Sequence, residues 1–136
     1  MRIYVFFLIA FSSYGLCDDD SFQKEIIGSW IISQQDEYFN TDWFITEYKA
    51  DGTAFHRQFK DASCETTLFV INGHWTIQDG KLINVVLSSS GEFDIPSGIM
   101  LIDNIVKLSN NEMIISTDID TDTNRTAHRM KSDKCL

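Results

Sequence analysis

A chain of 136 residues fits one domain, and antiparallel barrels of this size fold as single units. With 20 acidic against 11 basic residues the net charge is −9, which makes binding to a phosphate backbone unfavourable and argues against nucleic acid as a partner. The basic stretch from Arg125 to Lys134 scatters its cations among polar residues and reads as a solvated strand end.

The N-terminus reads as an export signal. Met1-Arg2 supplies a positive charge, Ile3 to Phe11 is an unbroken apolar run, and Ser12, Ser13 and Gly15 follow, so residues 1–17 are predicted to be a secretory signal peptide. The run of about nine residues falls far short of the roughly 20 that span a bilayer as a helix. The chain is therefore expected to be exported, either periplasmic or secreted. Loss of Arg2 with the signal takes the net charge from −9 to about −10. Two ends compete: Ser13-Tyr14-Gly15 satisfies the small-x-small cleavage pattern, whereas Leu16-Cys17 offers a cysteine for lipid attachment. A lipid on Cys17 is the one membrane attachment the sequence offers. Asp18-Asp19-Asp20 opens an acidic leader over 18–25, and the domain proper spans 26–136.

Ser21 to Ile27 carries a brief helical pattern, and from there strand signals dominate. Gly28 to Gln34 puts Trp30 and Ile32 on one face. Trp43 to Ala50 is rich in aromatic and β-branched residues, and the turn dipeptide Asp51-Gly52 leads back into Thr53 to Lys60, where Phe55 and Phe59 share a parity. Glu65 to Gln78 aligns Phe69, Ile71, Trp75 and Ile77, with Gly73 on that same face, where a bulge or bend is expected. Asp79-Gly80 turns into a strand over Lys81 to Leu87, followed by a loop at Ser88 to Gly91 and a short extended piece around Glu92 to Ile95 that Pro96 ends. Leu101 to Leu108 and Glu112 to Ile119 flank Asn110-Asn111, and Arg125 to Lys131 supplies a last strand. About eight short strands joined by hairpins predict an all-β, antiparallel up-and-down barrel, with a two-layer sandwich as the alternative.

Three cysteines fall in what would be an oxidising compartment. If Cys17 is removed or lipidated, Cys64 and Cys135 are left either as a disulfide that closes a loop of about 70 residues or as two unpaired thiols. Neither has a second cysteine or histidine at metal-ligand spacing.

Gly28-Ser29-Trp30 at the start of the first strand resembles the Gly-x-Trp signature of lipocalins. The hairpin segments Tyr48-Lys49-Ala50-Asp51-Gly52-Thr53 and Gly73-His74-Trp75-Thr76-Ile77-Gln78-Asp79-Gly80-Lys81-Leu82 are similar to those of short bacterial lipocalin-like, calycin-type barrels. The likeness covers Ile26 to Lys131. It implies that Trp30 plugs the narrow end of the barrel with an arginine of the last strand, Arg125 or Arg129, stacked over it. It also implies a disulfide from the tail to the barrel, in keeping with Cys64 and Cys135. The chain departs from the family pattern in having no Thr-Asp-Tyr motif and no long C-terminal helix.

The three histidines, His56, His74 and His128, lie on different predicted strands in no catalytic order, so no enzyme chemistry and no cofactor is expected. Asp118, Asp120, Asp122 and Asn124 imitate the start of a calcium loop, but Thr123 stands at the turn glycine's position and Arg129 where the closing glutamate belongs, so no metal is expected. Two readings of function remain open. In the first, inward-facing Trp30, Phe44, Tyr48, Phe55, Phe59, Phe69, Trp75, Val85, Met113 and Ile115 line a cup for a small hydrophobic ligand, or else simply fill it as core. In the second, the acidic surface binds or inhibits a basic envelope protein. The chain is expected to be a monomer.

Overall fold

The computed structural model describes residues 19–35, 41–117 and 123–131, and eight antiparallel strands close into a barrel in sequence order. One helix precedes them, α1 (Asp19–Glu25). The strands are β1 (Gly28–Gln35), β2 (Thr41–Tyr48), β3 (Thr53–Phe59), β4 (Thr67–Gln78), β5 (Lys81–Gly91), β6 (Met100–Leu108), β7 (Glu112–Thr117) and β8 (Asn124–Arg129). Each pairs with the next and β8 returns to β1, so the up-and-down order leaves no open sheet edge. The signal segment and Asp118, Asp120 and Asp122 of the calcium-like stretch, like Cys17 and Cys135, lie outside the described residues.

The hairpins follow from their turn residues. Asp79 (φ 53°) and Gly80 (φ 72°) are both left-handed, the pair of angles a two-residue turn needs to match the twist of its strands. The expected irregularity at Gly73 is present: the β4–β5 register shifts between Asn72 and Gly73, and a Cβ there would sit 2.5 Å from the Val85 carbonyl oxygen. Ser88 to Gly91, expected as a loop, instead continues β5 opposite Asn72 to Phe69. Serine is a weak strand former, and here the long partner strand overrides that preference. Glu92 to Ile95 forms no strand. It is tied down by Ser89, whose hydroxyl donates to Ile95 O (3.0 Å) and accepts from Ile95 N–H (2.8 Å).

The acidic leader is partly built into the fold. Asp19 accepts hydrogen bonds from the N–H groups of Asp79 (2.8 Å) and Gly80 (2.9 Å), which fastens α1 to the β4–β5 turn. Phe22 then packs against the core and Ile26 is fully buried, so this end of the barrel is stoppered. Trp30, also fully buried, donates from Nε1 to Ile26 O at 2.7 Å. Of the two candidate arginines it is Arg129 that stacks on Trp30, with Cζ 4.3 Å from the ring centroid. Its guanidinium also donates to the carbonyls of Ile27 (2.7 Å), Glu25 and Asn110.

A second apolar cluster lies on the outside of the wall. Ile31, Ile45 and Phe59 are buried there, with Trp43, Cys64 and Met130 packed against them. The β1–β2–β3 register puts this outer row opposite in parity to Trp30, Thr46 and His56.

Candidate functional site

Strand parity decides what faces the interior. Following the register from Trp30 round the barrel, the inward row runs through Thr46, His56, Ile71, Asn84, Asp103, Ile115 and Arg125, with their neighbours two residues away on each strand. Above the closed-end core these side chains surround a cavity of about 180 Å³. One part of its wall is apolar, from Trp30, Ile32, Phe44, Phe69, Ile71, Leu101, Met113 and Ile115. The rest is polar, from Thr46, Tyr48, His56, Arg57, Gln58, Asn84, Asp103 and Arg125.

Of the ten residues expected to face inward, six border this cavity: Trp30, Phe44, Tyr48, Phe69, Met113 and Ile115. Trp75 faces inward but belongs to the core beside the cavity, edge-on to Tyr48 at 5.7 Å and donating from Nε1 to Lys49 O at 2.9 Å. Phe55 does not reach the interior. It stands opposite Glu47 and Asn72 on the outer parity, with the Arg57 guanidinium 5.3 Å over its ring. Phe59 and Val85, paired with Trp43 and Met100, also belong to the outer row. The physical reason lies in β3, whose inward positions are Ala54, His56 and Gln58, so its apolar parity marks the outer face.

The polar wall was missed in the sequence, although a signal was there. Asn84 shares a parity with Leu82 and Val86, and Asp103 with Leu101 and Ile105, so each polar residue interrupts an otherwise apolar row. Asp103 and Arg125, the latter expected only as a candidate to stack on Trp30, form an ion pair at 2.6 Å, largely withdrawn from solvent. Thr46 Oγ1 and His56 Nδ1 are 2.9 Å apart, and Tyr48 meets the His56 ring edge-on at 6.0 Å. Asn84, only 4% exposed, neighbours both the Tyr48 phenol and the His56 ring. Burial pushes the His56 pKa down to about 4 against a weaker opposing effect of Asn84, so the ring is neutral at pH 7. Burial likewise raises the Tyr48 phenol well above its usual range, and it stays protonated. Three side-chain atoms of the lining residues, His56 Nε2, Arg57 Nε and Asn84 Oδ1, are buried without a well-formed hydrogen bond.

The arrangement can hold a small molecule by apolar contact and hydrogen bonding. Among the described residues no group of three or more His, Cys, Asp or Glu is placed to hold a metal ion. No family model matches the chain, and none of the curated proteins matches its sequence.

Proposed function

We propose that this protein is an exported, lipocalin-like binding protein that holds a compact ligand inside its barrel. The carrying observation is the cavity of about 180 Å³ inside the barrel, lined by both apolar and hydrogen-bonding side chains. Sites for drug-sized ligands measure roughly 300–1,000 Å³, whereas a dry apolar cavity of about 150 Å³ takes up benzene. The occupant is therefore of single-ring size rather than a long-chain lipid. The Gly28-Ser29-Trp30 signature and the Arg129 stack over Trp30 support the family likeness.

Trp30 stands in the cavity wall, so its fluorescence is an internal reporter. Titration with p-cresol and p-xylene is expected to give saturable 1:1 binding with a change in emission, and Ile115→Phe, which fills the space, should abolish it. If neither probe saturates the protein, the interior is only core, and the acidic surface is left as the part that binds a basic partner.

The export signal goes with a covalent tether between Cys64 and Cys135. Cys64 packs against the same outer cluster as Met130, which brings the start of the C-terminal tail near it. Closing a loop of about 70 residues is worth about 4 kcal/mol in the chain-entropy model. Peptide mapping without reductant should recover the two cysteines in one linked fragment, and reduction should lower the urea midpoint. Recovery of both as free thiols would remove the tether.

A further inference from the structure

The inward wall has an unmet hydrogen-bonding demand with a definite chemical character. His56 Nε2 and Asn84 Oδ1 are both buried without a well-formed hydrogen bond, on β3 and β5, the strands that flank β4, and the two side chains are close enough for Asn84 to oppose part of the His56 pKa shift. Leaving such groups unpaired is costly, so whatever pairs them binds with that penalty relieved. The imidazole is neutral, with Nδ1 occupied by the Thr46 hydroxyl. When Thr46 donates to Nδ1 the proton sits on Nε2, which places a donor beside the Asn84 acceptor.

The charge of the wall narrows the choice further. Its two charged inward side chains, Arg125 and Asp103, neutralise one another at 2.6 Å. The guanidinium of Arg57 lies over Phe55 and Phe59 on the outer face. Arg57 borders the cavity but its guanidinium is drawn to those outer rings, so an anionic ligand would lose its hydration with no inward-facing unpaired cation to meet it, and would face Asp103.

We propose that the cavity selects a single-ring-sized ligand with a neutral head that both accepts and donates a hydrogen bond, a hydroxyl above all. The head accepts from His56 Nε2–H and donates to Asn84 Oδ1, while the apolar body lies against Trp30, Phe44, Phe69 and Met113. A hydroxyl suits either imidazole tautomer because it offers both roles. This inference rests on the reading of the barrel as a binding protein and specifies what that protein recognises.

The test uses three probes of one size measured by calorimetry: p-cresol, its isostere p-xylene, and the anion p-toluate. A site whose buried polar groups are left unpaired rejects an analogue that lacks the hydroxyl. The expected result is a Kd for p-cresol at least about 10-fold below that of p-xylene, with p-toluate weakest. In Asn84→Leu the preference should disappear or invert while p-xylene still binds, which shows that the variant is folded and its cavity intact. Should that variant fail to fold, His56→Phe serves the same comparison. Equal binding of p-cresol and p-xylene by the wild type, or strongest binding of p-toluate, would overturn this inference and leave the binding function standing. Absence of binding by all three would overturn the binding function itself.

Discussion

Trp30→Ala is expected to cost about 3–5 kcal/mol of unfolding free energy, the range for removing a large buried aromatic side chain. Trp30 is fully buried and belongs to the core formed with Ile26, Tyr48, Met113 and Ala127. The position matters because the seam that closes the barrel is short: among the described residues the β1–β8 register matches Trp30 with Arg129 and Ile31 with His128, and Met130 N–H donates to Ser29 O at 2.8 Å. Truncating the indole leaves a void at that seam, removes the surface on which Arg129 stacks, and frees the Ile26 carbonyl that Nε1 now satisfies. Trp30→Phe keeps most of the apolar contact and loses the Nε1 bond, so a smaller cost of about 1–2 kcal/mol is expected. Urea unfolding followed by far-UV circular dichroism measures both. An alanine variant within about 1 kcal/mol of wild type would show that the seam does not depend on this ring.

The barrel was legible because its strands announce themselves locally. Phe69, Ile71, Trp75 and Ile77 alternate on β4, Gly73 marks the bend, and the two Asp-Gly pairs set turns whose angles the hairpins require. Boundaries failed where a partner strand overrode local preference, as at Ser88 to Gly91. The larger failure was on β3, and it coincides with the candidate site. Hydrophobic alternation assigns the more apolar parity to the interior, but on this strand the interior parity carries His56 and Gln58, while Phe59 finds cover on the outside with Ile31 and Ile45. A wall built to hold a polar group breaks the pattern by which interiors are recognised, so the binding residues were the least visible part of the sequence. The choice between Arg125 and Arg129 depended on which of them falls opposite Trp30, a matter of register that strand composition does not encode.

The same buried imidazole predicts how stability depends on pH. His56 has a folded pKa of about 4 against 6.5 in the unfolded chain, because the wall excludes the water that would solvate its cation. Above pH 6.5 both states hold it neutral and it contributes no pH dependence. Between 6.5 and about 4 the unfolded chain takes up a proton that the folded protein refuses, so stability falls as the pH is lowered through that window. The difference amounts to about 3 kcal/mol by pH 4, and below that both states are protonated and the loss levels off. The groups facing the ring do not offset this: Thr46 and Asn84 are uncharged, the Tyr48 phenol stays protonated, and Asp103 is matched by Arg125. Exposed Asp51, Asp61 and Glu112, whose pKa values are lowered by hydrogen bonds from Thr53, Ser63 and Lys107, lose their contributions lower in pH, and equally in any His56 variant. Urea midpoints of the wild type and His56→Gln at about pH 7 and pH 4.5 therefore isolate the effect. The wild type should lose the larger part of that 3 kcal/mol relative to the variant, and parallel curves would mean that the ring is solvated and the polar wall open to water.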